Sequence, residues 1–393
     1  MSALPPPLSA DAASLISWTE NNQQVTARWR SESAMPSPKR VVIADDSLSA
    51  DRAYRLACEG TAMLWRGDFQ NARQLLQAMA RRADRKQRAP AATPLDAFNQ
   101  HRQMQSQRAR TLAMLLIQFG PAHHIDLRRA PDVSAACTDA YGLDTLGYVA
   151  SLRELLGVIG SHEWRKNGID IAVLKDRIYP HYGVFAPIRN EYIGLVAQAP
   201  LHKVRMAFDI GTGTGVLAAL LARRGVTAVI GTDQDARALA CARQNIERLG
   251  LQSQVKIVDA DLFPEGRAQL VVCNPPWLPA RPSSPLEYAV YDPDSKMLRG
   301  FLHGLAAHLL PDGEGWLILS DLAEHLELRS RAQLLDWIAA GGLRVIERHD
   351  VRPTHAKVDD KSDALHQARA AEITSLWRLA ANATAADSTA TSK

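Results

Sequence analysis

After Lys203 the chain alternates short apolar runs with stretches of helical periodicity, the pattern of strands joined by crossover helices. Val204–Ile210, Val226–Asp233, Val255–Asp261 and Ala268–Asn274 read as four strands, and Gly315–Asp321 as a fifth. Helices are expected over Val216–Arg224, Ala236–Leu249, Lys296–Leu310 and Ser330–Ala340. Leu343–Asp350 and Glu372–Ala380 supply two closing strands. The predicted fold class is α/β, a seven-stranded doubly wound Rossmann-like sheet. Ligands of such sheets sit beyond the carboxyl ends of the strands, at the switch point.

The preceding half has a different texture. Arg40–Asp46 reads as a short buried strand. From Ala53 to about Arg82, Leu56, Met63, Leu64, Leu75, Leu76 and Met79 recur at helical spacing. Two prolines break the pattern over Ala89–Pro94. A second helix is expected through Leu112 and Leu116, and a third over Ser151–Lys166. The reading is a mostly helical accessory domain over 38–177, without an internal repeat, ahead of the α/β domain at 178–380. Residues 1–37, rich in alanine, proline and serine, and the tail 381–393 are expected to lack fixed structure.

Composition narrows the classes. At 393 residues and 46% hydrophobic, the chain has material for two domains. Cys58, Cys137, Cys241 and Cys273 form no zinc-type pair and no disulfide frame, and the first residues lack the basic and apolar regions of a secretory signal. Both point to the reducing cytoplasm. No run is long and apolar enough to span a membrane. The net charge of +4 is mild, but eight basic residues against two acids fall between Arg81 and Arg110. That segment either tracks RNA phosphates or forms a solvated arginine-rich helix face.

The candidate chemistry starts at Asp209-Ile-Gly211-Thr212-Gly213-Thr214-Gly215. Glycines at a strand-to-helix turn let a ligand approach the backbone closely. A dinucleotide loop would want glycine or alanine where Val216 stands, and no Gly-Lys-Ser/Thr follows for a phosphate loop. A carboxylate ending the strand repels a pyrophosphate. It suits the α-ammonium of S-adenosylmethionine, whose own carboxylate can meet N–H groups at the helix start. Asp233 closes the second strand, placed for ribose hydroxyls, and Asp261 closes the third, placed for an adenine amino group.

Strand four ends in Asn274-Pro275-Pro276-Trp277. An amide or exocyclic base nitrogen is a weak nucleophile because its lone pair is delocalised. Asn274's side-chain carbonyl and the Pro275 carbonyl can each accept one of its N–H bonds, more strongly as positive charge builds. Pro275 and Pro276 stiffen the loop, and Trp277 offers a stacking face. The motif resembles the (Asp/Asn)-Pro-Pro-(Phe/Tyr/Trp) signature of amino-methyltransferases: the DNA adenine, ribosomal guanine-N2 and release-factor glutamine methyltransferases. The resemblance covers roughly residues 180–380. It implies a class I methyltransferase sheet, S-adenosylmethionine as cofactor, and a planar nitrogen in the translation machinery, on protein glutamine or an RNA base. It also implies that the segment His181–Arg189 lids the cofactor, with Phe185 against the adenosine or in ordinary packing. The other reading is a non-catalytic RNA- or protein-binding module on the same fold.

Overall fold

The computed structural model describes residues 14–85, 91–282, 287, 289–354, 360–361 and 363–382. They fall into two compact units, the first built from 14–85, 91–92 and 99–166, the second from 93–98 and 167 onward.

The first unit is not mostly helical. Its elements are β1 (Leu15–Glu20), β2 (Gln23–Arg28), β3 (Arg40–Ala44), α1 (Ala50–Cys58), β4 (Thr61–Trp65), α2 (Phe69–Asp84), α3 (Pro94–Leu112), β5 (Leu115–Phe119), α4 (Ser134–Tyr141), β6 (Tyr148–Ser151) and α5 (Leu152–Asn167). A four-stranded sheet runs β3-β4-β5-β6, parallel except for the last pair. The helix expected from Ala53 to Arg82 is two helices with a strand between them. Gly60, at φ 76°, turns the chain after α1, and all five residues of β4 are buried. A short run buried on both sides has no alternation to reveal it as a strand. For the same reason the expected second helix stops at Leu112, and Leu116 lies in β5. Residues 14–37 are also ordered. β1 and β2 pair as a hairpin, and Ile16 and Trp18 pack with Trp29, Leu64, Leu116 and Val149.

The second unit begins with the hairpin β7 (Ile169–Ile171) and β8 (Asp176–Ile178). This corrects the expected boundary at 177, because Ile169, Ile171 and Ile178 join the same core as the helices of the second unit. There follow α6 (Glu191–Gln198), β9 (Met206–Ile210), α7 (Val216–Arg223), β10 (Ala228–Asp233), α8 (Ala236–Arg248), β11 (Val255–Asp259), β12 (Ala268–Cys273), α9 (Lys296–His308), β13 (Leu309–Ser320), α10 (Leu322–His325), α11 (Arg331–Ala340), β14 (Leu343–Val351), α12 (His366–Ala371) and β15 (Thr374–Ala381). The sheet order is β11-β10-β9-β12-β13-β15-β14, with β15 antiparallel to both neighbours. Side chains alternate between two cores. Leu270 and Val272 face the layer of α6, α7 and α8, while Val271 and Cys273 face α9 and α11. Each fully buried leucine contributes about 2 kcal/mol. The reversal of strand order between β9 and β12 opens the switch-point crevice. Beyond Asn382 the expected tail lies outside the described residues, as do residues 1–13, and no described helix is long and apolar enough to cross a membrane.

Candidate active site

The register gathers the carboxyl ends of three strands. Asp209 of β9 pairs with Gly231 of β10, and Ile210 pairs with Thr232 and with Cys273 of β12. The loop 211–215 rises from this seam. Its Thr212 N–H donates to the Thr232 carbonyl at 2.8 Å, and Gly215 N–H returns to the Thr212 carbonyl at 2.8 Å. Gly215 precedes α7 at φ 81°, and a Cβ there would stand 3.3 Å from the Cα and Cβ of Ala242. Only glycine gives both the left-handed turn and the close approach of α7 to α8. Gly211, at φ 70°, meets the Met297 methyl group, where a Cβ would come within 2.6 Å.

Asp209 is 1% exposed. Its Oδ2 accepts from the Thr212 hydroxyl at 2.7 Å and from Ala218 N–H at 3.0 Å. The acid therefore organises the loop from beneath, and does not stand open on the crevice. Burial pushes its pKa up to about 6, with the Asp233 charge adding to the rise and the two hydrogen bonds opposing it. Asp233, half-buried at the end of β10, accepts from Gly213 N–H and Asp235 N–H, each at 3.0 Å. Burial raises it as well. Among the described residues neither acid is in an ion pair, and of the two only Asp233 is partly exposed.

Asp261 sits differently from expectation. β11 ends at Asp259, and Asp261 lies exposed in the following turn, accepting from the Gln234 amide. That bond still ties the turns after β10 and β11 together on the same rim. Phe185 is 40% exposed, so it is not ordinary core packing. Its neighbours are fixed: Val184 packs with Ala238 and Cys241 of α8, and His181 Nε2 lies 2.8 Å from Gln244 Oε1. Sequence reasoning missed Asn245. Buried on α8, it accepts from Tyr179 N–H at 2.9 Å and donates to the Thr214 carbonyl at 3.0 Å, clamping this segment to the glycine loop. The available signal was a polar residue on the apolar face of an amphipathic helix.

Asn274 follows β12 directly, half-buried, with Pro275 buried behind it. The Trp277 indole N–H donates to Asn274 Oδ1 at 2.9 Å. Trp277 also packs against the cores on both faces of the sheet. In this structure it is a buttress that fixes the Asn274 amide, where an open stacking platform was expected. The next turn is stitched down: Leu278 N–H donates to the Val290 carbonyl, and Asp292 N–H to that of Leu278. Asp292 in turn caps α9, accepting from Met297 and Leu298 N–H at 3.0 and 3.1 Å. Cys273 is fully buried with its thiol pushed far up by desolvation, which makes it a packing group and not a nucleophile. All four cysteines are free thiols, and no metal-holding cluster occurs among the described residues.

Residues 190–327 match the family described as the methyltransferase small domain. That span holds the glycine loop, Asp233, Asp261 and Asn274–Trp277, and excludes Phe185. The chain is 34% identical to a release factor glutamine methyltransferase of Cereibacter sphaeroides, over 32% of this chain and 50% of that one. It is 31% identical to ribosomal RNA small subunit methyltransferase C of Alcanivorax borkumensis, over 39% and 47%. It is 26% identical to the tRNA1(Val) (adenine(37)-N6)-methyltransferase of Shewanella loihica, over 34% and 59%. The chain thus spans about half the length of the curated relatives it matches.

Proposed function

We propose that this methyltransferase small domain makes the chain an S-adenosylmethionine-dependent N-methyltransferase. Its target is a planar amide or exocyclic amine nitrogen of the translation machinery, on a protein glutamine or an rRNA or tRNA base. The observation that carries the reading is Asn274, whose amide oxygen is held by Trp277 one strand away from the glycine loop.

The residues fit the cofactor. The backbone at Gly211, Gly213 and Gly215 adopts positive φ and keeps side chains out of the loop. Asp233 is half-open at the rim, where ribose hydroxyls would meet it. The half-exposed Asp233, without an ion pair among the described residues, favours a ligand that carries positive charge. When bound, such a cofactor supplies an electrophilic methyl group on a sulfonium. Asn274 Oδ1 and the Pro275 carbonyl accept the two N–H bonds of the target nitrogen and so orient it for attack. Both bonds strengthen as positive charge builds on that nitrogen, so they favour the transition state over the ground state. Trp277 holds the acceptor in place before substrate arrives, and the prolines limit loop motion. No base is needed, because the methylated nitrogen loses its proton to water. The named activities of the relatives support the translation machinery as target.

Asn274→Ala tests this. Turnover of labelled methyl donor on an extract from a strain deleted for the protein is expected to fall by about 10²–10³, with methyl-donor affinity within about twofold of the parent. Retained turnover would remove Asn274 from the mechanism.

A further inference from the structure

Lys296, Arg299, Gly300 and His303 recur at i, i+3, i+4 and i+7, and so share one stripe of α9. The stripe borders a groove of about 530 Å³ whose other wall is α11, through Trp337 and Ala340. Arg299 lies over the Trp337 ring, 5.6 Å from its centre. The ring itself packs against the core of that side of the sheet. Among the described residues Lys296, Arg299 and His303 enter no ion pair, and Asp294 is the one acid in the lining. Two exposed cations, Lys296 and Arg299, beside an aromatic face are what the backbone and bases of a single strand require.

The groove begins at the end of α9 that is tied to the reaction loop. α9 is capped by Asp292, which is tied through Leu278 to the residues after Trp277, and Met297 on the same helix abuts Gly211. From Lys296 to His303 the stripe runs about 10 Å away from that end. Resting on the N-methyltransferase reading above, we infer that this groove holds the sugar-phosphate backbone of single-stranded RNA flanking the target nucleotide. The basic segment Arg81–Arg110 is a weaker candidate, since Arg82 and Arg108 are already paired with Asp51 and Asp84.

The test is fluorescence anisotropy of the full chain with a labelled, unstructured RNA of about 15 nucleotides at several salt concentrations. Lys296→Gln with Arg299→Gln is expected to weaken binding about tenfold near 0.1 M salt. The slope of log affinity against log salt should become shallower by about 1.4, the share of two phosphate contacts. Calorimetric methyl-donor affinity equal to the parent's confirms that the variant is folded. Should the pair misfold, Lys296→Gln alone is read in the same way, with a slope change of about 0.7. RNA affinity and slope unchanged in a variant that binds the methyl donor overturn the inference. So does a parent chain that methylates protein and ignores RNA, which leaves the transferase reading standing. Conversely, RNA binding lost in the double variant, together with full turnover in Asn274→Ala, supports the groove and topples the transferase mechanism.

Discussion

The two sheets of this chain share a run of strands: β3-β4-β5-β6 in the first unit and β9-β12-β13-β15 in the second are each parallel, parallel, antiparallel. In both, an acid lies at the carboxyl end of the first strand of the run. Among the described residues the first unit's sheet has no counterpart of β10 and β11, the strands that carry Asp233 and the turn with Asp261. What stands at the two rims differs more than the topology. In the first unit Asp46 accepts Asp68 N–H and the Asn71 amide, and Asp68 is held by Arg128 and Arg129 at 3.0 and 2.6 Å. In the second unit Asp209 and Asp233 face each other's charge with no basic partner. The same strand order therefore carries ion-paired acids at the rim of one unit and, in the other, a half-exposed Asp233 without an ion pair above a buried Asp209. What separates the two rims is the pairing of their acids and the glycine loop, and not the order of strands.

The largest effect should come from removing the loop's freedom. Gly215→Val forces a β-branched residue to φ 81° and drives its side chain into Ala242. Strain and overpacking together should destabilise the second unit by about 4 kcal/mol and abolish methyl-donor binding. Thermal unfolding and calorimetry read both, and a variant with parental donor affinity would show that the loop geometry is not what makes this rim a site.

Next comes the charge. Asp209 has a folded pKa of about 6, above its unfolded value. Its contribution to stability is present at low pH and is lost as pH rises through 6. Over pH 4 to 7 the parent should lose about 3 kcal/mol that Asp209→Asn does not lose. Identical pH profiles for the two proteins would mean that Asp209 is not held buried and strained by its charge.

The second unit was legible because its strands alternate with amphipathic helices and its candidate motifs are contiguous and lie at strand ends. The glycine loop and Asn274–Trp277 stand within one sheet rim as their sequence order implied. Roles were harder to read than positions. Asp209 is closed in by Thr212 and Ala218, and Trp277 is turned onto Asn274 and the cores; both depend on contacts that no local pattern encodes. In the first unit β4 and β5 are short, mostly apolar strands with nearly every residue buried, so periodicity merged them with the helices around them. Its likeness to the second sheet lies in pairing alone, with no shared motif to announce it.

The smallest effect should come from the first unit's rim, and its sign should be reversed. Arg129 beside Asp68 holds that carboxyl down to about 2, so its contribution is present above about pH 4 and is lost as pH falls toward 2. Asp68 also caps α2, accepting from Gln70 N–H at 2.8 Å, while both arginines keep much of their hydration. Asp68→Ala should therefore lower the unfolding temperature at neutral pH by about 3 °C, and the gap to the parent should close below pH 3. Methyl-donor affinity should be untouched, since the second unit's rim owes nothing to this carboxylate. If Asp68→Ala weakened donor binding as much as a change at Asp233, the two rims would not be the separate devices their pairing describes.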